Sequence, residues 1–315
     1  MTDPPSVGAS VDLGSNSVHL LVAAIHGHQV RPLADESVFL GLGTTVDAQA
    51  HLGAAVRATL THELRRYADR ARALDAARVT FLGTEPIRRA ADAARIVEEV
   101  EDATGIALDV LSHEEEAYLT LIGVTGGQQV RAETLVVDIG GGSSEFCAVA
   151  PGGIARAAGL QLGSGRLTAR FATSDPADAG ALAAMRAAAE ATVTRSLDVK
   201  PSDLVAVGGT ASNLLKIAID GAHGPVLTRT GVDRAIATLM STPSAELSER
   251  YFINPKRGPL LLAGAVIVDA LMRRYEVEAV RVSDAGIREG AILAADHAGR
   301  AWRDRLARLA AGWRQ

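Results

Sequence analysis

The chain has 315 residues, 48% of them hydrophobic and only 3% aromatic, and it carries a net charge of −5. This length and composition predict a sizeable core and about two domains, and the acidic balance lacks the bulk basic character of a nucleic-acid-binding protein. The single cysteine, Cys147, excludes an intramolecular disulfide and a multi-cysteine zinc site, and its apolar neighbours predict a buried structural thiol. The N-terminus lacks the basic residues of a signal peptide and no apolar run is long enough for a bilayer, so we expect a cytoplasmic protein with no membrane and no nucleic-acid partner.

The first predicted element is a hairpin near the N-terminus. Residues 7–12 and residues 18–25 form two apolar runs that predict strands, and the turn between them has the sequence Leu-Gly-Ser-Asn-Ser. Asp12 ends the first strand. Residues 29–46 predict one or two further strands with a Gly-Leu-Gly turn.

A helix, a strand and a second helix follow. Apolar residues recur at helical spacing in residues 54–73, residues 78–82 predict a strand, and residues 90–104 predict another helix. Arg88 lies where that strand leads into a helix start, a geometry that favours anions, and its guanidinium is a planar fork that suits phosphate. A surface cap or a salt bridge is the competing interpretation for Arg88.

The helix after the next strand has a strong start signal. Residues 108–111 predict the strand, and Ser112 with Glu115 three positions later has the pattern of a capping box. Acidic residues in a first turn complement the helix dipole, which accounts for this acidic start. Glu116 lies next to the apolar continuation of the helix, so it either belongs to that first turn or points inward toward a cleft.

The most informative stretch is the glycine-rich turn within residues 135–149. Two apolar runs flank three glycines and two serines, which predicts strand, tight turn and strand. Consecutive glycines let the backbone approach a ligand closely, and their N–H groups and the neighbouring hydroxyls can surround an anion. Asp138 and Glu145 bracket the turn, so we expect a phosphate and a divalent cation, or an activated water, to meet there.

The two hairpins share one pattern. Each has an apolar run, Asp-x-Gly, a small polar turn and a second apolar run, and Asp12 and Asp138 are 126 positions apart (138 − 12). We interpret this as an internal duplication of a hairpin that presents an aspartate and a phosphate-sized turn. Two unrelated hairpins are the alternative.

Strands and helices alternate through the rest of the chain, which predicts the α/β class. The predicted elements are a strand at 155–161, helices within 176–197, a strand at 204–207, helices at 229–240 and 255–273, a strand at 279–282 and a terminal helix after Gly290. Gly-Gly-Thr stands between the strand at 204–207 and a helix predicted to begin at Leu214. It is the second-best anion site, because N–H groups at a helix start face whatever the glycines admit.

Several common sites are excluded by spacing. The histidines show no pair such as His-Glu-x-x-His, so a histidine zinc site is not expected. The triple glycine leads into a strand, whereas a dinucleotide-binding turn needs a third glycine that opens a helix. A Walker Gly-Lys-Ser/Thr and the Gly-x-Ser-x-Gly of serine hydrolases are both lacking.

Seven short motifs between Val11 and Gly290 carry a family resemblance. In chain order they are Val-Asp-Leu-Gly-Ser-Asn-Ser-Val, Gly-Thr-x-x-x-Arg, Glu-Glu-Ala, Val-Val-Asp-Ile-Gly-Gly-Gly-Ser-Ser-Glu, Leu-Gly-Ser-Gly-Arg-Leu-Thr, Val-Gly-Gly-Thr and Ser-Asp-x-Gly-x-Arg-Glu-Gly. Together they resemble the motifs of the exopolyphosphatase and guanosine pentaphosphate phosphohydrolase family (Ppx/GppA), within the acetate kinase, actin and Hsp70-like superfamily. Single motifs of this kind are weakly specific, but seven in the right order are strong.

The resemblance implies a role for each matched residue. Glu116 is the implied general base or water-positioning carboxylate, Asp138 and Glu145 are implied to hold metal and water, and Asp12 is a further implied metal ligand. The residues implied to bind phosphate, with Arg88 assisting, are Gly14, Ser15, Asn16, Ser17, Gly141, Gly142, Ser143, Ser144, Gly208, Gly209 and Thr210. Glu85 and Pro86 stand where family members often carry small residues, which adds an acid near the anion site expected at Arg88.

The resemblance also implies an architecture and cofactors. It implies two ribonuclease H-like (actin-like ATPase) domains facing an interdomain cleft, the first formed by residues 1–119 plus 293–315 and the second by residues 120–292. The implied cofactor is Mg2+, with Mn2+ as the alternative, and no organic cofactor is expected. A homodimer is one assembly that the resemblance leaves open. Because the chain ends where longer relatives continue, we expect a preference for short polyphosphate.

The implied activity is release of terminal orthophosphate from inorganic polyphosphate. A pppGpp phosphohydrolase with the same chemistry is the alternative, because no base-binding motif separates the two. An ASKHA-type kinase and an actin-like filament or binding module are further alternatives. Glu116 favours hydrolysis over kinase activity, because a carboxylate of this kind would activate water.

Overall fold

The structure is a computed structural model that describes residues 6–218 and 224–313. Internal contacts divide the chain into two compact units. Unit 1 comprises Met1–Val130, Gly152–Ala155 and Ala285–Gln315, and unit 2 comprises Arg131–Pro151 and Arg156–Asp284. In the described ranges, no helix combines the length and the apolar character needed to cross a lipid bilayer.

Unit 1 is built on a five-stranded sheet with the strand order β3-β2-β1-β4-β5. Its strands are β1 (Ser6–Leu13), β2 (Ser17–His26), β3 (Gln29–Phe39), β4 (Arg78–Gly83) and β5 (Leu108–Val110). Its helices are α1 (Leu42–Gln49), α2 (Gly53–Ala73), α3 (Glu85–Arg89), α4 (Ala93–Thr104), α5 (His113–Thr125), α12 (Ile287–Ala298) and α13 (Leu306–Ala310). Two short 3-10 helices, Gly299–Ala301 and Arg303–Arg305, precede α13.

The central strand of this sheet is apolar on both faces because helices cover both. β1 pairs antiparallel with β2 and parallel with β4, so the carboxyl ends of β1 and β4 lie at the same edge of the sheet. Val11 and Leu13 pack in a core with Leu60, Leu64 and Tyr67 of α2. The opposite face is covered by α12, which packs on β1 and on α5.

The α5–α12 crossing is so close that two glycines are required. A Cβ at Gly290 would lie 1.8 Å from the carbonyl oxygen of Leu119, and a Cβ at Gly123 would lie 2.0 Å from that of Gly286. Both obstacles are backbone atoms and cannot rotate away. These contacts fix α5, and with it the acidic first turn, against the sheet of unit 1.

Unit 2 is built on a six-stranded sheet with the order β10-β11-β9-β6-β7-β8. Its strands are β6 (Thr134–Ile139), β7 (Ser144–Val149), β8 (Arg156–Leu160), β9 (Asp203–Val207), β10 (Val226–Thr228) and β11 (Ala279–Ser283). Its helices are α6 (Ser164–Phe171), α7 (Ala179–Val193), α8 (Gly208–Ala218), α9 (Arg229–Ser241), α10 (Ser244–Arg250) and α11 (Leu261–Arg274), with a 3-10 helix at Gly258–Leu260. Cys147 on β7 is buried, as predicted, and burial raises the pKa of its thiol.

Three helix starts differ from the prediction. The Gly-Leu-Gly turn expected within residues 29–46 opens α1. The helix expected to begin at Leu214 begins at Gly208, whose φ of +89° lets β9 turn directly into α8, so Gly-Gly-Thr forms the first helical turn. The helix expected over residues 255–273 begins at Leu261, because Pro255 and Pro259 restrict the preceding backbone and lack N–H donors. No helix was predicted over α1, α3, α6 or α10, and no strand was predicted over β10.

The unit boundaries also differ from the predicted domain boundaries. Residues 120–130, 152–155 and 285–292, expected in the second domain, group with unit 1. For the first and last of these ranges, the reason is that α5 and α12 pack against each other along their length, so neither helix is divided.

Candidate active site

The predicted hairpin turns have the same hydrogen bonding in both units. In unit 1 the N–H of Gly14 donates to the carbonyl of Ser17 at 3.1 Å, and in unit 2 the N–H of Gly140 donates to that of Ser143 at 3.0 Å. Donor and acceptor are each shifted by 126 positions (140 − 14 and 143 − 17), the spacing of the two aspartates. The two turns are therefore equivalent in conformation as well as in sequence.

In unit 1 a neighbouring segment holds the turn's carbonyl groups. Ser15 O accepts from the N–H of Gly43 at 2.8 Å, and Asn16 O accepts from the N–H groups of Leu40 and Gly41 at 3.1 and 2.9 Å. These donors lie at or just before the start of α1. The carbonyl oxygens are thus turned away from any anion at this turn.

In unit 2 the start of α6 does the same. Gly140 O accepts from the N–H of Ser164 and Gly141 O from the N–H of Arg166, both at 3.0 Å, and Gly142 O accepts from Arg166 Nε at 2.9 Å. Within the described residues of their own units, the N–H groups of Ser15, Asn16, Gly141 and Gly142 have no protein acceptor. A turn with bound carbonyls and unpaired N–H groups is a concave anion site.

The side chains of the second turn differ in availability. Ser144 is fully buried and its hydroxyl donates to Leu162 O at 2.5 Å, so only its backbone is left for a phosphate. Ser143 is also buried. The sequence prediction treated the two serines alike, because the partner of Ser144 is 18 positions away in the chain.

The carboxylates next to the turns distinguish the two units. Asp138 on β6 stands opposite Glu145 on β7 in the antiparallel register, and directly opposed side chains lie on one face of a sheet. Asp12 on β1 stands opposite His19 on β2. Unit 2 therefore presents a pair of carboxylates where unit 1 presents one.

The third predicted phosphate loop lies beside this pair in unit 2. A Cβ at Gly208 would lie 2.6 Å from Asp138 Oδ1, so the start of α8 closely approaches the carboxylate. Thr210 lies in the same first turn, and its hydroxyl is 3.4 Å from that of Ser164 at the start of α6. Loops two and three, with Asp138, thus occupy one edge of the sheet, at the carboxyl ends of β6 and β9, where α/β folds bind ligands.

One cation at this edge was missed by the sequence analysis. Arg257 Nη1 is so close to Gly209 that a Cβ there would lie 1.7 Å from it. Arg257 is half-buried, and burial lowers the pKa of its guanidinium. A partly desolvated guanidinium beside a glycine turn is suited to a phosphate. The only sequence signal was an arginine between two Pro-containing turns, which carries no pattern of its own.

In unit 1, Glu116 is buried and lies in an ion pair. Its carboxylate Oε1 accepts from Arg88 Nη1, which also donates to Leu111 O. The ring nitrogens of His113 lie 3.0 and 3.2 Å from Arg88 Nη2. Of the two positions left open for Glu116, the structure has the buried one, and Arg88 forms a salt bridge with it, the competing interpretation given for Arg88.

The unusual acid, Glu85, contacts the first turn. Ser15 Oγ donates to Glu85 Oε2 at 3.1 Å, and Arg89 on the next helical turn pairs with Glu85 and, at 2.8 Å, with Asp47. Glu85 is only 3% exposed, and the charge of Arg89 compensates this buried carboxylate. The hydroxyl of Ser15 is therefore directed to protein, and the first turn presents its backbone.

The acidic start of α5 is a complete capping box. The Ser112 hydroxyl accepts from the N–H of Glu115 at 3.2 Å, and Glu115 Oε2 accepts from the N–H of Ser112 at 2.7 Å. The N–H of Glu114 and the Ser112 hydroxyl hold the pKa of Glu114 below its ordinary value. This start of the helix fixes the backbone that carries Glu116.

Known proteins match this sequence and fold. Exopolyphosphatase 1 of Mycobacterium tuberculosis is 29% identical over 296 aligned residues, covering 90% of this chain and 86% of that protein. A guanosine-5'-triphosphate,3'-diphosphate pyrophosphatase of Photobacterium profundum is 26% identical, covering 90% of this chain and 58% of that protein. The crystal structure of the Aquifex aeolicus Ppx/GppA family member matches with a TM-score of 0.82 at 26% identity, covering 94% of this chain and 99% of that one.

The fold class predicted from the sequence is confirmed, since the structural neighbours from the Ppx/GppA family are actin-like proteins with two α/β domains. The sequence model of the Ppx/GppA phosphatase family matches residues 21–297, most of the chain. The predicted hydrolase class is confirmed at the level of the family. The chain belongs to the Ppx/GppA phosphatase family.

Proposed function

We propose that this protein is an exopolyphosphatase that releases terminal orthophosphate from inorganic polyphosphate with the aid of a divalent cation. The observation that carries the proposal is the pair of equivalent turns. Their carbonyl groups are hydrogen-bonded behind the turn, and among the described residues of each unit the N–H groups of Ser15, Asn16, Gly141 and Gly142 have no protein acceptor. Repeated anion sites suit a substrate that repeats one anionic group. The exopolyphosphatase among the relatives matches over most of both chains, which supports the same choice.

The cation fits unit 2 best. Mg2+ prefers carboxylate oxygens, and Asp138 and Glu145 supply two on one face of the sheet, beside the turn and Gly208. We propose that these two residues hold Mg2+, or Mn2+ in its place. We also propose that Asp12, the carboxylate of the first hairpin, is a further metal ligand. When bound, the cation would neutralise charge on the phosphate oxygens.

The protein's own groups account for the remaining steps. Backbone N–H groups of Ser15 and Asn16, of Gly141 and Gly142, and of the turn from Gly208 to Thr210 would hold phosphates. Arg257 would add a positive charge at the third loop. Glu116 would accept a proton from the attacking water, whose oxygen forms the new bond to the terminal phosphorus as the bond to the bridging oxygen breaks. Such in-line transfer needs positioning and charge neutralisation more than covalent chemistry.

Arg88 has two roles in this proposal. Its charge-assisted hydrogen bond holds the carboxylate of Glu116 in one orientation. Its second guanidinium nitrogen, next to His113, is the group expected to assist phosphate binding. The preference for short chains, the cytoplasmic location and a homodimer stay predictions.

A substrate panel tests the proposal. Purified protein with Mg2+ is given short polyphosphate, long polyphosphate, pppGpp and ATP, and released orthophosphate is measured with and without EDTA. We expect the largest kcat/KM on polyphosphate and loss of activity in EDTA. Turnover of pppGpp without turnover of polyphosphate would contradict the exopolyphosphatase assignment.

The second candidate is hydrolysis of pppGpp. It is favoured by the Photobacterium profundum relative, although this chain spans only 58% of that protein. The same panel separates the two activities. Phosphate transfer from ATP to a sugar or acid, without release of orthophosphate, would instead indicate a kinase.

A further inference from the structure

We propose that Arg303 is a positioning residue for Glu116, acting through the first turn of α5. The inference rests on the proposed function, in which Glu116 is the base. Arg303 lies in the 3-10 helix that precedes α13, about 190 positions after the residues it contacts (303 − 115 = 188). It has no counterpart among the seven motifs, so only the fold brings it to the site.

The guanidinium of Arg303 forms a bidentate pair with Glu115 in the first turn of α5. Nε donates to Glu115 Oε1 at 2.5 Å and Nη2 donates to Glu115 Oε2 at 2.9 Å. The same Oε2 accepts the N–H of Ser112 in the capping box. Such a bidentate pair fixes direction as well as distance, which a single point charge does not.

The remaining donors hold the strand that leads into the helix. Nη1 lies 3.2 Å from Asp109 Oδ1, and Nη2 donates to Val110 O at 2.7 Å. Arg303 therefore joins the end of β5 to the first turn of α5. It is itself held in place because its neighbours Trp302 and Leu306 are buried, with α13 packed on α5.

Two arginines hold the junction between β5 and α5, but only Arg303 has no proposed role in binding phosphate. Arg88 bonds Leu111 O and Glu116 from one side and is expected to engage phosphate. Arg303 bonds Val110 O and Glu115, the residues next to Leu111 and Glu116. Arg303 can thus keep the backbone of Glu116 in place while Arg88 adjusts to a substrate.

The test compares Arg303→Ala and Arg303→Lys with a matched control. Arg281 forms a similarly exposed two-point pair with Asp203 in unit 2, so Arg281→Ala removes a comparable ion pair away from α5. Steady-state kinetics on short polyphosphate with Mg2+ give kcat and KM, and thermal unfolding gives the folded fraction at the assay temperature. We expect Arg303→Ala to lower kcat by about 10- to 100-fold with KM within about twofold, because small displacements of a reacting group cost this much.

The other variants sharpen this expectation. Arg303→Lys keeps the charge without the fork, so its kcat should lie between those of the wild type and Arg303→Ala, and Arg281→Ala should match the wild type. Hydrogen exchange of a peptide spanning residues 109–118 should be faster in Arg303→Ala and unchanged in Arg281→Ala. Should Arg303→Ala be too unstable to assay, Glu115→Gln is the substitute, because it weakens the pair with Arg303 while keeping an acceptor for the N–H of Ser112. We expect a smaller fall in kcat for this variant.

The outcomes separate this inference from the proposed function. The role of Arg303 is overturned if folded Arg303→Ala has an unchanged kcat, or if its fall in kcat is explained by the unfolded fraction alone. The proposed function still stands in that case, provided that Glu116→Gln is inactive. Unchanged exchange in residues 109–118 also overturns the role of Arg303. A Glu116→Gln variant that keeps its rate overturns the proposed base and, with it, the positioning role.

Discussion

Units 1 and 2 contain the same five-stranded arrangement with different chemistry at its edge. The order β3-β2-β1-β4-β5 in unit 1 corresponds to β8-β7-β6-β9-β11 in unit 2, with the same parallel and antiparallel pairs, and β10 adds a sixth strand in unit 2. The first hairpin of each unit ends in the same turn, held from behind by the start of the next helix. The backbone is thus duplicated beyond the hairpins that the sequence pattern indicated.

The side chains around the two turns have diverged. In unit 2, Asp138 stands opposite Glu145, and two glycines follow β9, the second of them beside Arg257. Unit 1 follows β4 with Glu85 and Arg88, which bond Ser15 and Glu116. An equivalent backbone thus carries different sets of side chains in the two units. We propose that unit 2 mainly supplies the cation and phosphate sites, and unit 1 the carboxylate that activates water.

Replacing the equivalent aspartates, Asp138 and Asp12, should give the largest effect and tests whether the cation site belongs mainly to unit 2. Asp138→Asn should lower kcat/KM by roughly a thousandfold and raise the Mg2+ concentration for half-maximal rate, because a metal carboxylate is lost. Asp12→Asn, opposite His19 rather than a second acid, should have a clearly smaller effect. Mg2+ titrations of both variants measure this. Equal effects would contradict a cation site centred on unit 2.

The close helix contacts provide a stability comparison. Gly290→Ala in unit 1 pushes a methyl group against the carbonyl of Leu119, so we expect a loss of about 3 kcal/mol of unfolding free energy. Gly264→Ala on α11 in unit 2 instead meets Thr210 Cγ2 at 2.3 Å. Thr210 can shift, so this variant should lose less stability but raise KM through the third loop. Urea unfolding and steady-state kinetics separate the two, and a fully stable Gly290→Ala would contradict the packing described.

The third loop gives a smaller expected effect. Arg257→Ala should raise KM for polyphosphate by about tenfold with little change in kcat, because it removes one charge-assisted phosphate contact. Gly209→Ala should reproduce this, since its methyl group would displace the guanidinium. Arg281→Ala serves as the control for loss of an exposed arginine in the same unit. A change in kcat alone would argue against a binding role for Arg257.

The pH dependence of stability gives the smallest effect. Burial acts to raise the pKa of Glu115, but the hydrogen bonds from Arg303 and the N–H of Ser112 outweigh it and hold that pKa below its ordinary value. A lowered folded pKa adds stability above the unfolded pKa of about 4.3, and this stability is lost as the pH falls through the folded value.

The variant Glu115→Gln should therefore be less stable than the wild type by roughly 1 kcal/mol at pH 7, with a difference that shrinks below about pH 4. Urea unfolding at pH 7, 5 and 3.5 measures it. Glu278→Gln, which alters an exposed pair with Arg229, is the control expected to change little at any pH. A difference that stays constant with pH would contradict the ionic contribution.

Much of this architecture was predictable because its signals are local. Alternating apolar runs, the Ser112 capping box and the repeated Asp-x-Gly turns identified most strands, the start of α5 and the duplication. The helix start at Gly208 was not predictable from propensity, since a glycine pair usually signals a loop and only the φ of +89° joins strand to helix. The domain boundaries differed because packing of α5 on α12 is a tertiary property.

The candidate site was predictable to the extent that its residues lie in motifs. Glu116, Asp138 and Glu145 stand in such motifs and were selected. Arg257 and Arg303 reach the site from segments with no motif, and the commitment of Ser144 to Leu162 depends on a partner outside its own hairpin. Long-range contacts of this kind leave no periodic or spacing signal in a single sequence.

The most direct test of the account concerns Glu116. Phosphate release from short polyphosphate in a single turnover is compared for the wild type and Glu116→Gln, with substrate binding measured on the same samples. We expect the variant's rate to be lower by about 10²- to 10⁴-fold, the usual contribution of a general base, with affinity within about threefold. A Glu116→Gln protein that binds substrate and still releases phosphate at the wild-type rate would contradict it.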